Sequence, residues 1–202
     1  MVQCIFLDFC INRVLQINKD AYEGGVMERL KIGGVKLSVE FCHFELRGSD
    51  PPQKTASTVS KALASEKINI EFLTYNSSKD GVYQISICVN QDKFYSTSKI
   101  FQKKGCLPVN WEVSSREKIG MVTIFPYHSA LAILGVIMAT WGGNAMPIYG
   151  VATSLSAISF LTDFQAIDKA VEVIESSFQL PDNHAPLKPE LHYYQSTVSK
   201  KD

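Results

Sequence analysis

The sequence predicts an α+β fold written twice, and three observations carry that expectation. Residues 42–76 fall on residues 120–154 without a gap when moved forward by 78 positions. In each copy, short apolar strands flank a stretch of helical periodicity. Each copy then closes on a second helical stretch that begins behind an acidic residue. The order strand, helix, strand, strand, helix gives an antiparallel sheet with both helices on one face, the ferredoxin-like split βαβ arrangement.

The first strands are FELRG (Phe44–Gly48) and VTIFP (Val122–Pro126), each halting at a residue that breaks pairing. Polar loops follow, SDPPQK in the first copy and YHSALA in the second. In the first helix Ala56, Val59, Ala62 and Leu63 recur on one stripe. In the second copy Leu134, Ile137 and Trp141 hold corresponding positions, but the helix is apolar all round, which predicts a place between two layers. The helices are expected to end at Glu66-Lys67 and Gly142-Gly143. INIEFLTY and MPIYGVAT then read as strands, with VYQISICV and AISFLT as their hairpin partners. Asp92 and Asp163 are the expected caps of the closing helices. In the last of these, Ile167, Ala170, Val171, Ile174 and Phe178 form the expected buried face.

VNWEV (Val109–Val113) can complete the first sheet. After Phe178, prolines at 181, 186 and 189 each remove a ladder donor, so the second sheet lacks a counterpart. The pattern of Val26, Leu30 and Ile32 predicts that residues near 26–32 fill that place, with the first repeat inserted in the second. Gly33-Gly34 would then turn the chain into the first repeat. The expected units are an extension at 1–26, a first domain at 27–114 (27–34 donated to the second), a second domain at 115–180, and a tail at 181–202.

Twenty basic and twenty acidic residues cancel, which leaves no overall field for nucleic acid or an anionic membrane. Five scattered cysteines without a C-x-x-C read as reduced, buried thiols of a cytoplasmic protein. The run Ala130–Trp141 is too short to span a bilayer, and the N-terminus lacks the basic start of a signal peptide. No pair of histidines has metal-ligand spacing, and no cofactor is implied. His128 and Ser129 beside Asp163 lack the elbow and oxyanion loop of a hydrolase, so His128 reads as a loop residue. His43 reads as outward-facing on its strand, and Trp111 and Trp141 as core or interface residues.

The order strand, Asp-Pro loop, TASTVSKALASEKINIEFL and then TSLSAISFLTDFQAIDKAVEVIESSF resembles the tandem ACT domains at the C-terminus of aspartokinases. The resemblance spans about residues 33–180. It implies two ACT domains paired side by side, a non-catalytic regulatory chain that binds an amino acid in an interface, and a partner enzyme of amino-acid metabolism; the sheet edges that need covering and the apolar helix at Ala130–Trp141 predict a homodimer. Nothing in the sequence resembles the kinase domain or its phosphate loop.

By the same resemblance, one ligand site would use Ser49, Asp50, Gln53, Thr55 and Ala56 with Ile68, Asn69 and Ile70. Its counterpart would use Tyr127, His128, Ser129, Leu131 and Ala132 with Met146 and Ile148. Helix-start N–H groups would take a carboxylate, and strand carbonyls near Asn69 an ammonium group. Asp50 also fits an Asx turn before Pro51, and the two roles are compatible. The family's loop reads Asp-x-Pro-Gly, whereas Gln53 and Leu131 stand at the two glycine positions here. That departure supports a second reading, a structural or assembly module that has lost its ligand and acts through protein contacts.

Overall fold

The computed structural model describes residues 29–49, 52–78, 80–126, 130–154 and 156–182. The N-terminal extension through residue 28, Asp50, Tyr127, His128, Ser129 and the tail beyond residue 182 lie outside the described residues.

Among the described residues, eight strands and four α-helices form two lobes. β1 (Leu30–Leu37) and β2 (Phe41–Gly48) are followed by α1 (Pro52–Ser65), β3 (Phe72–Ser77), β4 (Tyr83–Asn90) and α2 (Phe94–Gln102). Then come β5 (Glu112–Pro126), α3 (Ala130–Gly143), β6 (Gly150–Thr153), β7 (Ile158–Asp163), α4 (Ile167–Ser177) and β8 (Phe178–Gln179). The first lobe has the strand order β3-β4-β2-β5, antiparallel throughout. In the second lobe β5 pairs with β1 on one side and β7 on the other, and β6 pairs with β7. β8 adds a short parallel pairing outside β1.

One strand therefore serves both sheets. Glu112–Ile119 pairs with β2 in the first lobe, and the remainder pairs with β1 and β7 in the second. Of the expected strand Val109–Val113 only Glu112 and Val113 are strand, opening a 15-residue strand that runs to Pro126; Val109 and Asn110 form an exposed turn before it. The expected boundary at 114/115 falls inside that strand. β5 changes sheets at a register shift opposite Phe41–His43, where Lys118 adopts a left-handed φ of 56°. Such a bulge bends a strand and increases its twist. Gln91 clamps it, donating from Nε2 to Glu117 (2.7 Å) and accepting at Oε1 from the Lys118 N–H (3.3 Å).

β1 supplies the second lobe's fourth strand, with Leu37 opposite Val122 and Ile32 opposite Pro126. The expected turn at Gly33-Gly34 does not occur. The strand continues through it with a bulge between Ile32 and Gly34, and the chain turns after Leu37.

The two cores follow the repeat. Val59 and Leu63 of α1 are sealed against Phe44, Leu46, Ile85 and Ile87. Their counterparts 78 positions on, Ile137 and Trp141 of α3, are sealed against Val122, Ile124, Ile158 and Phe160. α3 lies against one sheet only and not between layers, since Leu131 and Met138 face outward. Both first helices end in the same closure: Ile68 N–H donates to Leu63 O and Met146 N–H to Trp141 O. The left-handed residues there are Lys67 and Ala145.

On α4 the buried face is Ile167, Ala170, Val173 and Ile174, with Phe178 beyond; Val173 takes the deep position expected of Val171, which is partly buried. The acidic caps are not formed. Asn90, not Asp92, accepts the N–H of Asp92 over a single 3-10 turn before α2, and Asp163 instead accepts from Tyr149. Cys42, Cys88 and Cys106 are free and buried, while Cys4 and Cys10 lie outside the described residues. Burial holds the Cys42 thiol at about 12 and raises that of Cys88 as well. Among the described residues no helix is long and apolar enough to cross a membrane.

Candidate ligand-binding site

α1 begins at Pro52, a residue pre-set for the first helical position. Its first turn has no acidic residue, so its free N–H groups keep their positive end of the helix dipole. Ser49 is exposed and accepts from Asn110 Nδ2 at 2.7 Å, which ties the β2–α1 connection to the segment before β5. Gln53 points to solvent, and Ala56 is half-buried. Thr55 turns inward and is 3% exposed. In the second lobe Leu131 is 78% exposed and Ala132 half-buried.

The second part of each expected site lies beyond the helix. Residues 68–70 and 146–148 were expected as strand, but ladder pairing starts later, at Phe72 and Gly150. Glu71 N–H reaches Cys88 O and Tyr149 N–H reaches Leu161 O, so the repeat holds here also. Ile68 and Met146 are buried pegs. Among the described residues the backbones of Asn69, Ile70, Pro147 and Ile148 make no hydrogen bond. Each therefore carries unpaired groups along the outer edge of its sheet. Asn69 is exposed, and its amide donates to Glu71 Oε1 at 2.8 Å.

The start of α1 and residues 68–70 sit at opposite ends of a 14-residue helix, about 20 Å apart at 1.5 Å per residue. One lobe does not bring its two halves together. A helix start and an edge segment can share a ligand only where one lobe meets another.

Two groupings escaped sequence reasoning. At the joint between lobes, Phe41, Phe72, Cys88, Ile119 and Leu161 form a third buried cluster on the sheet faces away from the helices. Beside it the Arg116 guanidinium lies 4.0 Å over the Tyr149 ring, and Tyr149 donates to Asp163 Oδ1 at 2.9 Å. Burial, then Asp163, raises the Tyr149 pKa. His43, expected to face outward, is 3% exposed and hydrogen-bonds Ser86. Burial lowers its pKa, Arg116 adds to that, and Glu45 opposes it. The other grouping is a cleft between α1 and the loop after α2. Its sequence signal was present: Thr55 and Thr58 are polar where the second copy has Ile133 and Val136. Among the described residues no group of three or more His, Cys, Asp or Glu is placed to hold a metal ion.

No protein-family model matches the chain, and no curated protein matches it. Solved structures do. The ligand-free regulatory subunit of aspartate kinase from Thermus thermophilus is similar over 73% of this chain and 99% of its own, at 21% identity and a TM-score of 0.62. A structure of aspartokinase alpha and beta subunits is similar over 72% of this chain and 97% of that one, at 18% identity and a TM-score of 0.63. Aspartate kinase from Synechocystis is similar over 76% of this chain but 28% of its own, at 17% identity and a TM-score of 0.65. In fold, this chain is similar to the regulatory part of aspartate kinases, two ferredoxin-like lobes with the first set inside the second.

Proposed function

We propose that this chain is a non-catalytic regulatory module that senses a free amino acid where lobes meet, as a cytoplasmic homodimer or on a partner enzyme. The repeated, unpaired edge segments at 68–70 and 146–148 carry the reading. Each offers carbonyls to an ammonium group, and the starts of α1 and α3 offer N–H groups to a carboxylate. The likeness to a regulatory subunit of aspartate kinase supports the same role. Ser49, Asp50, Gln53, Thr55 and Ala56 with Ile68, Asn69 and Ile70 would form one site. Tyr127, His128, Ser129, Leu131 and Ala132 with Met146 and Ile148 would form the other.

A thermal-shift screen of the full chain against the twenty amino acids tests this. A ligand at a hundred times its dissociation constant adds about 2.7 kcal/mol. At least one amino acid should raise the melting temperature, and an Asp50→Ala, Asn69→Ala double variant should lose that response. Leu131 favours the second reading, an assembly module without a ligand: it stands exposed where the resembled family has glycine. No response to any amino acid, with a dimer in sedimentation, would select that reading.

A further inference from the structure

The first lobe holds a cleft of about 480 Å³. Lys54, Thr55 and Thr58 of α1 form one wall, and Cys106, Leu107 and Pro108 of the loop after α2 form the other. Gly105 allows that loop to fold back, at a φ of 88° that disfavours any side chain. In the second lobe α4 passes directly into β8, so no such loop exists. There the positions of Thr55 and Thr58 are filled by Ile133 and Val136, which pack into or against the core.

The lining has a definite chemistry. Thr55 is buried, yet its hydroxyl makes no hydrogen bond among the described residues. That hydroxyl is not sealed in the core but opens on the cleft, where it is free to donate to a bound molecule. Thr58 has spent its proton on Lys54 O, at 2.9 Å. Among the described residues Lys54 has no ion pair and no acidic side chain lines the cleft. The side-chain donors available are therefore one ammonium group and one hydroxyl, both on α1. The facing wall offers hydrocarbon and a buried thiol.

We propose that this cleft binds a small carboxylic acid with an apolar body. Lys54 and Thr55 hold the carboxylate, and Leu107, Pro108 and Cys106 cover the hydrocarbon. A space of this size suits a molecule of about a dozen non-hydrogen atoms. The site lies inside one lobe, so it does not rest on the interface reading above.

The test uses the full chain, titrated calorimetrically with monocarboxylates from butanoate to 3-phenylpropanoate. The neutral control is 3-phenylpropanamide, and none of the probes carries the ammonium group an amino-acid site requires. Affinity should rise with the length of the hydrocarbon, and the amide should bind about tenfold more weakly than its acid. Peptide-resolved alkylation should slow at Cys106 in the presence of 3-phenylpropanoate and stay unchanged at Cys42 and Cys88. Thr55→Val and Lys54→Gln should each weaken binding about fivefold or more. Lys54 is exposed, so its substitution leaves the fold intact. Absence of heat and of Cys106 protection at millimolar acid would overturn the proposal. So would equal binding of acid and amide, or full affinity in Lys54→Gln.

Discussion

Gly48 ends β2 beneath the indole of Trp111, and this contact allows a quantitative test of how tightly the first lobe is closed. A Cβ built on Gly48 would lie 2.4 Å from Trp111 Cδ1 and 2.5 Å from Cγ and Cδ2. The indole is 7% exposed and belongs to the first lobe's core, so it has little room to retreat. Gly48→Ala should therefore cost about 1–3 kcal/mol, the usual range for forcing one extra carbon into a packed site. Among the described residues Trp111 Nε1 has no hydrogen-bond partner, so Trp111→Phe gives up ring contacts but also removes an unsatisfied buried donor. Combining the two changes should recover much of the loss, with a coupling of about 1 kcal/mol or more. Urea denaturation followed by far-ultraviolet circular dichroism measures all four corners of the cycle. If Gly48→Ala lies within about 0.5 kcal/mol of the parent, or the double variant is simply additive, the tight contact does not constrain the lobe.

Ala145 occupies the left-handed closure after α3, so Ala145→Gly should stabilise by about 0.5–1 kcal/mol and raise the melting temperature by about 1–3 °C; no change in calorimetric melting would argue against the strain. Burial depresses the His43 pKa below its ordinary 6.5, so below that pH the unfolded chain takes up a proton the folded one resists. Stability should fall as the pH drops from about 7.5 to 5.5, and His43→Gln should flatten that slope; equal urea midpoints for both proteins at both pH values would refute it. Gln91→Ala removes both hydrogen bonds at the β5 bulge and should cost about 1 kcal/mol, with faster hydrogen exchange at Lys118 as the local readout.

The features legible in the sequence are those set by local periodicity. The stripes that seal Val59 and Leu63, and Ile137 and Trp141, follow from helical spacing, and the helices end close to the expected stops, but the left-handed closure of α3 sits at Ala145, two residues past the glycines that mark its end in the sequence. What escaped depends on partners remote in sequence. Ser114-Ser115-Arg116-Glu117-Lys118 shows no alternation and is exposed, so the pattern stops at Val113. Backbone pairing with β2 nevertheless carries the strand through it. His43 looks outward because it alternates with core residues, but it faces the joint between the lobes. Asn90 outcompetes Asp92 as a cap because the chain inserts one 3-10 turn before the helix, a detail of two residues that periodicity does not encode. Within the expected ligand site, a single chain separates what the family resemblance groups together, since helix length fixes that distance before any interface forms.

Because β1 and β5 pair antiparallel, with Leu37 opposite Val122, they form the two arms of a hairpin. For the second lobe, the whole first lobe is the loop of that hairpin. The first lobe leaves and returns through neighbouring ladder positions, so the second lobe needs its far end only to close one turn. A two-residue turn joining Leu37 to Val122 would thus keep every strand of the second sheet, shortening β5 only by Ile119–Met121 opposite the end of β7, and the first lobe could be exchanged as a cartridge without rethreading the rest. The reverse is not true: the first sheet takes its last strand from the same β5, so a cut at the bulge opens both.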